Sequence, residues 1–276
     1  MATTDPGFRK KYGLIAGNGR FPILALESAR ALGHEVVAIG IQEEASREIE
    51  ALAARCHWIS LGQLSRLIEI LHQEGVTEVM MTGQVKHASI FSSIQPDWRL
   101  FKLLASLTQK NTDGLIGAVA KVLEQEGIRL VDSTALLKPL LAGEGALTPR
   151  KPTKDEEQDA GYGRRVAGAL AGFDIGQSVA ICDGACVAVE AMEGTDAMLR
   201  RAASLVNGRP LRLVKVSGRR HHLLFDVPVA GPDTIAVMRE TGATLLAVDA
   251  GRTLLLDRDR MLADAAHAGI SIVGWV

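Results

Sequence analysis

Three carboxylates lie within seven residues, on Glu190, Glu193 and Asp196. The sequence predicts that a strand delivers Glu190, that Gly194 forms a turn, and that Thr195 is the N-cap of the following helix. Carboxylate oxygens beside a helix N-terminus could hold a divalent cation. Threonine and aspartate are also common at the start of a helix, so an ordinary surface turn is the alternative interpretation.

The segment between Asp196 and Asp226 contains no acidic residue, and we call it the basic tract. Its cations are Arg200, Arg201, Arg209, Arg212, Lys215, Arg219 and Arg220. Without compensating charges they would suit an anionic partner, such as a diphosphate or an anionic membrane surface, and the alternative is a solvated basic face. Asp226 follows the tract in an apolar run restricted by Pro228. This placement predicts a paired structural charge, a metal ligand or a general base for water.

Gly17 and Gly19 flank Asn18 between a predicted strand and a predicted helix. Such a loop lets backbone N–H groups approach a phosphate at the helix N-terminus. The dinucleotide fingerprint needs a third glycine where this chain has Pro22, and an acidic residue where it has Gly40-Ile41-Gln42. The pattern therefore disfavours a nicotinamide site. It leaves open a plain tight turn or a contact with a substrate phosphate or sugar.

Further polar residues follow predicted elements of the first half. Gln84 and Lys86 come directly after a buried strand. Ligands of open α/β sheets lie beyond the carboxyl ends of such strands, so these side chains could contact a ligand, and a solvated loop is the alternative. Thr112 and Asp113 precede a predicted helix, where they would either cap it or form the polar edge of a pocket.

Alternating strands and helices position these groups in the first half of the chain. The predicted strands cover residues 12–16, 35–41, 56–60, 78–82 and 128–131. The predicted helices cover residues 22–32, 43–54, 64–74, 99–108 and 114–126. Such alternation, with short turns marked by glycine, indicates a mostly parallel, Rossmann-like sheet covered on both faces. We predict that this α/β domain spans residues 1–140.

A polar segment with glycines and prolines over residues 141–160 predicts a linker. Beyond it, Asp183-Gly184 predicts a hairpin between strands 177–182 and 185–191. Further strands are predicted at 211–216, 244–248, 254–256 and 271–273, and helices at 156–171, 196–206 and 258–268. The expected fold of residues 161–276 is a mixed α/β domain with more antiparallel character.

Composition excludes several classes of protein. The 276 residues include 31 basic and 32 acidic ones, which excludes a generally basic nucleic-acid-binding protein, and aromatic residues at 4% argue against base stacking. Three scattered cysteines fit a reducing cytoplasm. Because no apolar run precedes Tyr12, we expect no secretory signal, and the sequence contains no apolar run of transmembrane length. We therefore expect a cytoplasmic protein that is soluble or peripheral to a membrane.

Five motifs, taken in order along the chain, resemble those of one family. They are Gly13-Leu-Ile-Ala-Gly-Asn-Gly-Arg-Phe-Pro22, Val131-Asp-Ser-Thr134, Gly176-Gln-Ser-Val179, Val187-Ala-Val-Glu-Ala-Met-Glu-Gly-Thr-Asp196, and Phe225-Asp-Val-Pro228 with Gly231. The sequence thereby resembles the UDP-2,3-diacylglucosamine pyrophosphatases of the two-domain type used in lipid A biosynthesis. The resemblance covers nearly the whole chain.

The resemblance implies hydrolysis of UDP-2,3-diacylglucosamine to UMP and 2,3-diacylglucosamine 1-phosphate, with magnesium, at a site between two domains. It also implies that Asp226, in the Asp-x-Pro element, is the catalytic aspartate. Members often carry Gln-Asp-x-Arg just ahead of that aspartate. This chain has Arg220-His221-His222-Leu223-Leu224 there and lacks that acidic group.

From the motifs and the resemblance together we expect Asp226, Glu190 and Asp196 to hold Mg²⁺. The residues expected to contact the substrate are Gly17, Asn18, Gly19, Gln84, Lys86, Thr112, Asp113, Gln177, Gly194, Thr195 and Lys215. We also expect peripheral contact with the cytoplasmic face of the inner membrane and no nucleic-acid partner. Assembly into a homo-oligomer is one further option.

Two other functions remain open at the level of the sequence. A nucleotide-dependent oxidoreductase or transferase could be built on the first domain, although an oxidoreductase should show the complete glycine fingerprint. A regulatory protein could bind a nucleotide sugar or a lipid without turnover. Such a protein would have no need for Asp226.

Overall fold

A computed structural model describes residues 9–83, 95–106, 112–218 and 227–276. The chain forms two compact units that divide between Leu137 and Lys138. Within the described ranges, no helix combines the length and the apolar character needed to cross a membrane. Asp226, Gln84 and Lys86 lie outside the described residues, so the predictions for them stay predictions.

The first unit contains a parallel sheet of five strands. These strands are β1 (Lys11–Ala16), β2 (Glu35–Ile41), β3 (Arg55–Ile59), β4 (Glu78–Thr82) and β5 (Arg129–Leu130). Their order in the sheet is β3-β2-β1-β4-β5, and every pairing is parallel. The predicted Rossmann-like sheet is therefore confirmed.

Helices cover this sheet, and most of them match the predicted ranges. They are α1 (Phe21–Ala31), α2 (Ile49–Leu52), α3 (Leu64–Gln73), α4 (Trp98–Ser106) and α5 (Thr112–Gln125). The prediction of a helix over 43–54 is wrong, because only Ile49–Leu52 is helical. The hydroxyl of Ser46 accepts a hydrogen bond from the N–H of Glu48 at 3.2 Å. Such local bonding from serine to the backbone favours a turn and delays the helix.

The second unit contains a mixed sheet and a short two-stranded one. Its strands are β6 (Gly145–Ala146), β7 (Ser178–Cys182), β8 (Ala185–Val189), β9 (Leu211–Lys215), β10 (Val229–Ala230), β11 (Ala243–Asp249), β12 (Leu254–Leu255) and β13 (Ser271–Trp275). The larger sheet has the order β6-β13-β11-β9-β7-β8. Its central strands β13, β11 and β9 are parallel, whereas β7, β8 and β6 pair antiparallel. The predicted mixed α/β fold, with its Asp183-Gly184 hairpin, is confirmed.

Two cores lie on the two faces of this sheet. Its helices are α6 (Lys154–Gly172), α7 (Thr195–Leu205), α8 (Pro232–Thr241) and α9 (Arg258–His267). Because side chains alternate along a strand, Val179 and Ile181 pack with α6, whereas Ala180 and Cys182 face the core of α7, α8 and α9. Helix α8 was not predicted from the sequence. Its signals are Pro232 in the first turn and Gly242, with φ of 70°, as the C-cap.

The segment predicted as a linker contains ordered elements of the second unit. Residues 141–160 include β6, which pairs with β13, and the first turns of α6. Glu156 is 4% exposed, and its carboxylate accepts hydrogen bonds from Arg150 at 2.6 and 2.9 Å and from the Thr244 hydroxyl at 2.6 Å. The N–H of Thr153 donates to it at 2.8 Å, completing a capping box. This carboxylate ties the start of α6 to β11.

Burial alone would raise the pKa of Glu156, but the hydrogen bonds from Arg150, Thr244 and Thr153 lower it from 4.5 to about 2. We expect Glu156→Gln to lower the free energy of unfolding at pH 7 by about 2–3 kcal/mol, because the Arg150 guanidinium loses its charged partner. The folded-state pKa is lowered, so the stabilisation exists above pH 4.5 and is lost as the pH falls toward about 2.

Urea denaturation at a series of pH values measures this effect. The difference in free energy between wild type and Glu156→Gln should shrink over that acidic range. Glu157→Gln, one residue along and exposed, is the matched control and should leave stability nearly unchanged. Equal stability of wild type and Glu156→Gln at pH 7 would contradict the assigned role.

Candidate functional site

The glycine loop of the first unit adjoins the end of β4. The N–H of Gly17 donates to the carbonyl of Thr82 at 2.8 Å. A Cβ on Gly83, whose φ is 84°, would lie 2.5 Å from the carbonyl oxygen of Asn18. The strand order changes direction between β1 and β4, so these loops flank the crevice where open α/β sheets bind ligands.

The other residues of this unit that were predicted to contact the substrate are described only in part. Thr112 and Asp113 lie in the first turn of α5, and their side chains are outside the described residues. In the sequence, Gln84 directly follows Gly83, the last described residue after β4. The expected contribution of these residues to substrate binding stays a prediction.

A second group of polar side chains meets at one edge of the mixed sheet. The parallel strands β9 and β11 end there, at Lys215 and Asp249. Strand β7 runs antiparallel to β9 and begins at the same edge with Ser178, while β8 ends there just before Glu190. The edge therefore gathers residues that are far apart in the sequence. We call Glu190, Thr195, Lys215 and Ser178 the edge cluster.

The hydroxyl of Thr195 is the centre of the edge cluster. It donates to Glu190 Oε1 at 2.8 Å and accepts from Lys215 Nζ at 3.1 Å. The hydroxyl of Ser178 lies 3.2 Å away. The prediction of Thr195 as an N-cap is wrong: Gly194, with φ of 82°, holds that position, and the Thr195 side chain turns toward Glu190. One hydroxyl thus joins a carboxylate to an ammonium group.

The residues just before β7 contact Glu190. It is 8% exposed, and its Oε2 accepts from the N–H of Gln177 at 3.4 Å. A Cβ on Gly176 would lie 2.2 Å from the carbonyl oxygen of Glu190, so only glycine permits this approach. The structure thereby brings together predicted residues Gln177, Thr195, Lys215 and Glu190.

Asp196 lies one residue beyond the cluster, at the start of α7. Desolvation raises the pKa of its carboxyl, and so do the charges of Asp233 and Glu190, against the opposing effects of Arg200 and Lys215. The group therefore shares its electrostatic environment with the edge cluster and with the N-terminal turn of α8. A raised pKa is typical of a carboxyl group that burial removes from water.

Four of the five described cations of the basic tract are paired with carboxylates, which corrects the expectation of an uncompensated tract. Among the described ones, the pairs are Arg200 with Glu240, Arg201 with Glu193, Arg209 with Asp183, and Arg212 with Asp159. The acidic partners come from other elements, so the local sequence could not show them. Lys215 differs: it is 8% exposed and has no carboxylate within ion-pair distance among the described residues.

Known proteins match nearly the whole chain. A model of the LpxI N-terminal domain matches residues 11–140, and one of the LpxI C-terminal domain matches residues 143–273. The chain belongs to the LpxI family. A relative from Caulobacter vibrioides, named UDP-2,3-diacylglucosamine pyrophosphatase LpxI, is 30% identical over 96% of this chain and 97% of its own length. The family predicted from the motifs is confirmed.

Solved structures resemble the chain only distantly. WbmG of Bordetella bronchiseptica, in complex with NAD and UDP, is 17% identical over 44% of this chain and 36% of its own, with a TM-score of 0.30. The urea carboxylase of Kluyveromyces lactis is 12% identical over 62% and 12%, with a TM-score of 0.30. Likenesses at these scores carry no information on the fold or ligands of this chain.

The described residues alone do not build the metal centre that the sequence predicts for this LpxI family member. Among them, no group of three histidine, cysteine or acidic side chains is arranged to hold a metal ion. Glu190 already accepts hydrogen bonds at both oxygens, and Lys215 brings a positive charge to the same edge. Asp226, the third expected ligand, lies outside the described residues.

Asp249 is a polar residue of this edge that the sequence analysis missed. Its Oδ2 accepts from the N–H of Ser217 at 2.8 Å and from the Ser217 hydroxyl at 2.9 Å. Arg164 of α6 pairs with its Oδ1 at 3.1 Å. The signal was an aspartate at the end of an apolar strand. Asp249 fixes the chain just beyond Lys215 and thereby stabilises the end of β9.

Proposed function

We propose that this chain hydrolyses the diphosphate of UDP-2,3-diacylglucosamine, giving UMP and 2,3-diacylglucosamine 1-phosphate for lipid A biosynthesis. The observation that carries the proposal is the match of both LpxI domains, together with the relative from Caulobacter vibrioides. The edge cluster supports it because it presents a buried ammonium group without an acidic partner among the described residues.

The proposed reaction is the attack of water on one phosphorus of the diphosphate. The water oxygen bonds to that phosphorus, and the bridging P–O bond breaks with its electron pair going to the departing phosphate. In this scheme Asp226 accepts the proton of the attacking water, as a positioned carboxylate does in general base catalysis. Lys215 faces the negative charge that grows on the phosphate oxygens.

Glu190 and Thr195 orient Lys215 in this proposal. A hydroxyl has one proton to donate and lone pairs to accept with. Because Thr195 donates to Glu190, its lone pairs face Lys215 and fix the position of the ammonium group. We therefore assign Glu190 and Thr195 as positioning residues that act through Lys215.

Mg²⁺ is part of the proposal, with Asp226 and Asp196 as its carboxylate ligands. Glu190, the third ligand expected from the sequence, is not included because both of its oxygens already accept hydrogen bonds. When bound, the ion would neutralise charge on the diphosphate oxygens. The loop of Gly17, Asn18 and Gly19, with Gln84 and Lys86 after β4, is proposed to contact the nucleotide or the sugar. Thr112, Asp113, Gln177 and Gly194 complete the proposed substrate contacts. The substrate carries two acyl chains, so we also propose peripheral contact with the cytoplasmic face of the inner membrane.

Asp226→Asn should lower kcat for UMP release by about 100-fold or more, because the general base is lost, while substrate binding is retained. The measurement is UMP release from UDP-2,3-diacylglucosamine, with binding measured by calorimetry. Asp259→Asn, at a fully exposed position of α9, is the control and should behave as wild type. Wild-type turnover by Asp226→Asn would overturn the catalytic assignment, and no turnover by the wild type would overturn the function.

Thr195→Val should lower kcat/KM by about tenfold, since Lys215 loses the acceptor that orients it. Thr195→Ser keeps the hydroxyl and should restore near-wild-type kinetics. Steady-state UMP release and urea denaturation of both variants separate orientation from folding. A valine variant with wild-type kcat/KM, or a serine variant as impaired as valine, would refute the positioning role.

Removal of divalent cations with EDTA should abolish UMP release, and added Mg²⁺ should restore it. Calorimetric titration of Mg²⁺ into wild type and into Asp226→Asn tests the ligand assignment directly, because the variant should bind the ion more weakly. Unchanged turnover in EDTA would exclude the proposed magnesium requirement.

A further inference from the structure

An exposed aromatic stripe runs along α4. Trp98, Phe101, Lys102 and Ala105 are spaced as neighbours on one helix face, and we call them the α4 face. Trp98 is 74% exposed and Phe101 is 54% exposed. Their rings are stacked with centroids 6.0 Å apart. Both rings remain in water, although burying them would give a favourable free energy.

The opposite side of α4 is firmly packed, so the exposure is a property of the folded helix. Leu100 is buried in the core of the first unit, and Leu103 and Leu104 pack against that core. Asp97 caps the helix: its Oδ1 accepts from the N–H of Leu100 at 2.9 Å, and its Oδ2 from the N–H of Ser65 at 2.6 Å. The packing of its leucines and the hydrogen bonds of Asp97 therefore fix the orientation of α4.

Charge on this helix favours an anionic surface. The sequence of α4 contains Arg99 and Lys102 and no acidic residue. Arg99 pairs with Glu126. Lys102 is exposed and has no carboxylate within ion-pair distance among the described residues. Tryptophan, phenylalanine and lysine on one helix face are the combination that binds the interface of an anionic bilayer.

We infer that the α4 face docks this chain on an anionic lipid bilayer. The inference rests on the proposed lipid substrate, which an enzyme has to take from a membrane. The basic tract, which the sequence favoured for this contact, has most of its described cations paired with carboxylates. The α4 face instead offers apolar area and an available cation together.

A second exposed apolar group provides a comparison. Phe173 is 78% exposed and Met192 is 73% exposed, and both belong to the second unit. Acidic residues flank this group in the sequence, namely Asp174 and Glu193. No lysine or arginine adjoins either side chain in the sequence, whereas Lys102 belongs to the α4 face. Phe173 and Met192 therefore make a control of similar exposure without a neighbouring cation in the sequence.

Sedimentation with vesicles of phosphatidylethanolamine and phosphatidylglycerol tests the inference. Replacing both aromatic residues, Trp98→Ala with Phe101→Ala, should weaken partitioning by about tenfold or more, since two buried rings are lost. The control, Phe173→Ala with Met192→Ala, should partition as wild type does. Vesicles of phosphatidylcholine alone should bind wild type more weakly, because they lack the anionic headgroups.

Three results would overturn the inference. Unchanged vesicle binding by the α4 variant, or an equal loss in the control, would overturn the inference. Conversion of an oligomer to a monomer by the α4 variant without vesicles would show a self-interface instead, and would overturn it too. UMP release from detergent-dispersed substrate should be unchanged in the α4 variant. If wild type released no UMP, the proposed function would fail while the vesicle comparison still tested the surface.

Discussion

A buried ammonium group is stable only where polar acceptors replace its water, and the second unit is organised around this requirement at Lys215. Thr195 supplies the acceptor, and it can do so because its own proton goes to Glu190. Glu190 in turn depends on the N–H of Gln177 and on the close approach of Gly176. One cation therefore ties together the end of β9, the start of α7 and the hairpin strands β7 and β8.

Much of the fold follows from local pattern. The ranges predicted for β2 and β4 agree with the structure, because these strands are continuous apolar runs bounded by glycine or polar residues. Asp183-Gly184 specified the hairpin, since both residues adopt the positive φ that its turn requires. Four residues that meet in the candidate site were also predicted from the sequence as site residues, namely Gln177, Glu190, Thr195 and Lys215.

Long-range pairing could not be predicted in the same way. The basic tract looked uncompensated because Glu240, Asp183 and Asp159 belong to other elements that only the folded chain brings close. Thr195 looked like an N-cap because local propensity cannot show that its hydroxyl donates to Glu190 and accepts from Lys215. Helix α2 is short because Ser46 bonds to the backbone ahead of it, and α8 carries its signals at its two ends and not in a periodic pattern.

In the proposed function, the edge cluster holds the diphosphate through Lys215. Calorimetric measurement of Kd for UDP-2,3-diacylglucosamine, in an Asp226→Asn background that prevents turnover, tests it most directly. Lys215→Met keeps the apolar stem and removes the charge, and should weaken binding by about tenfold to 100-fold. An unchanged Kd, with the fold of the variant intact, would contradict the account.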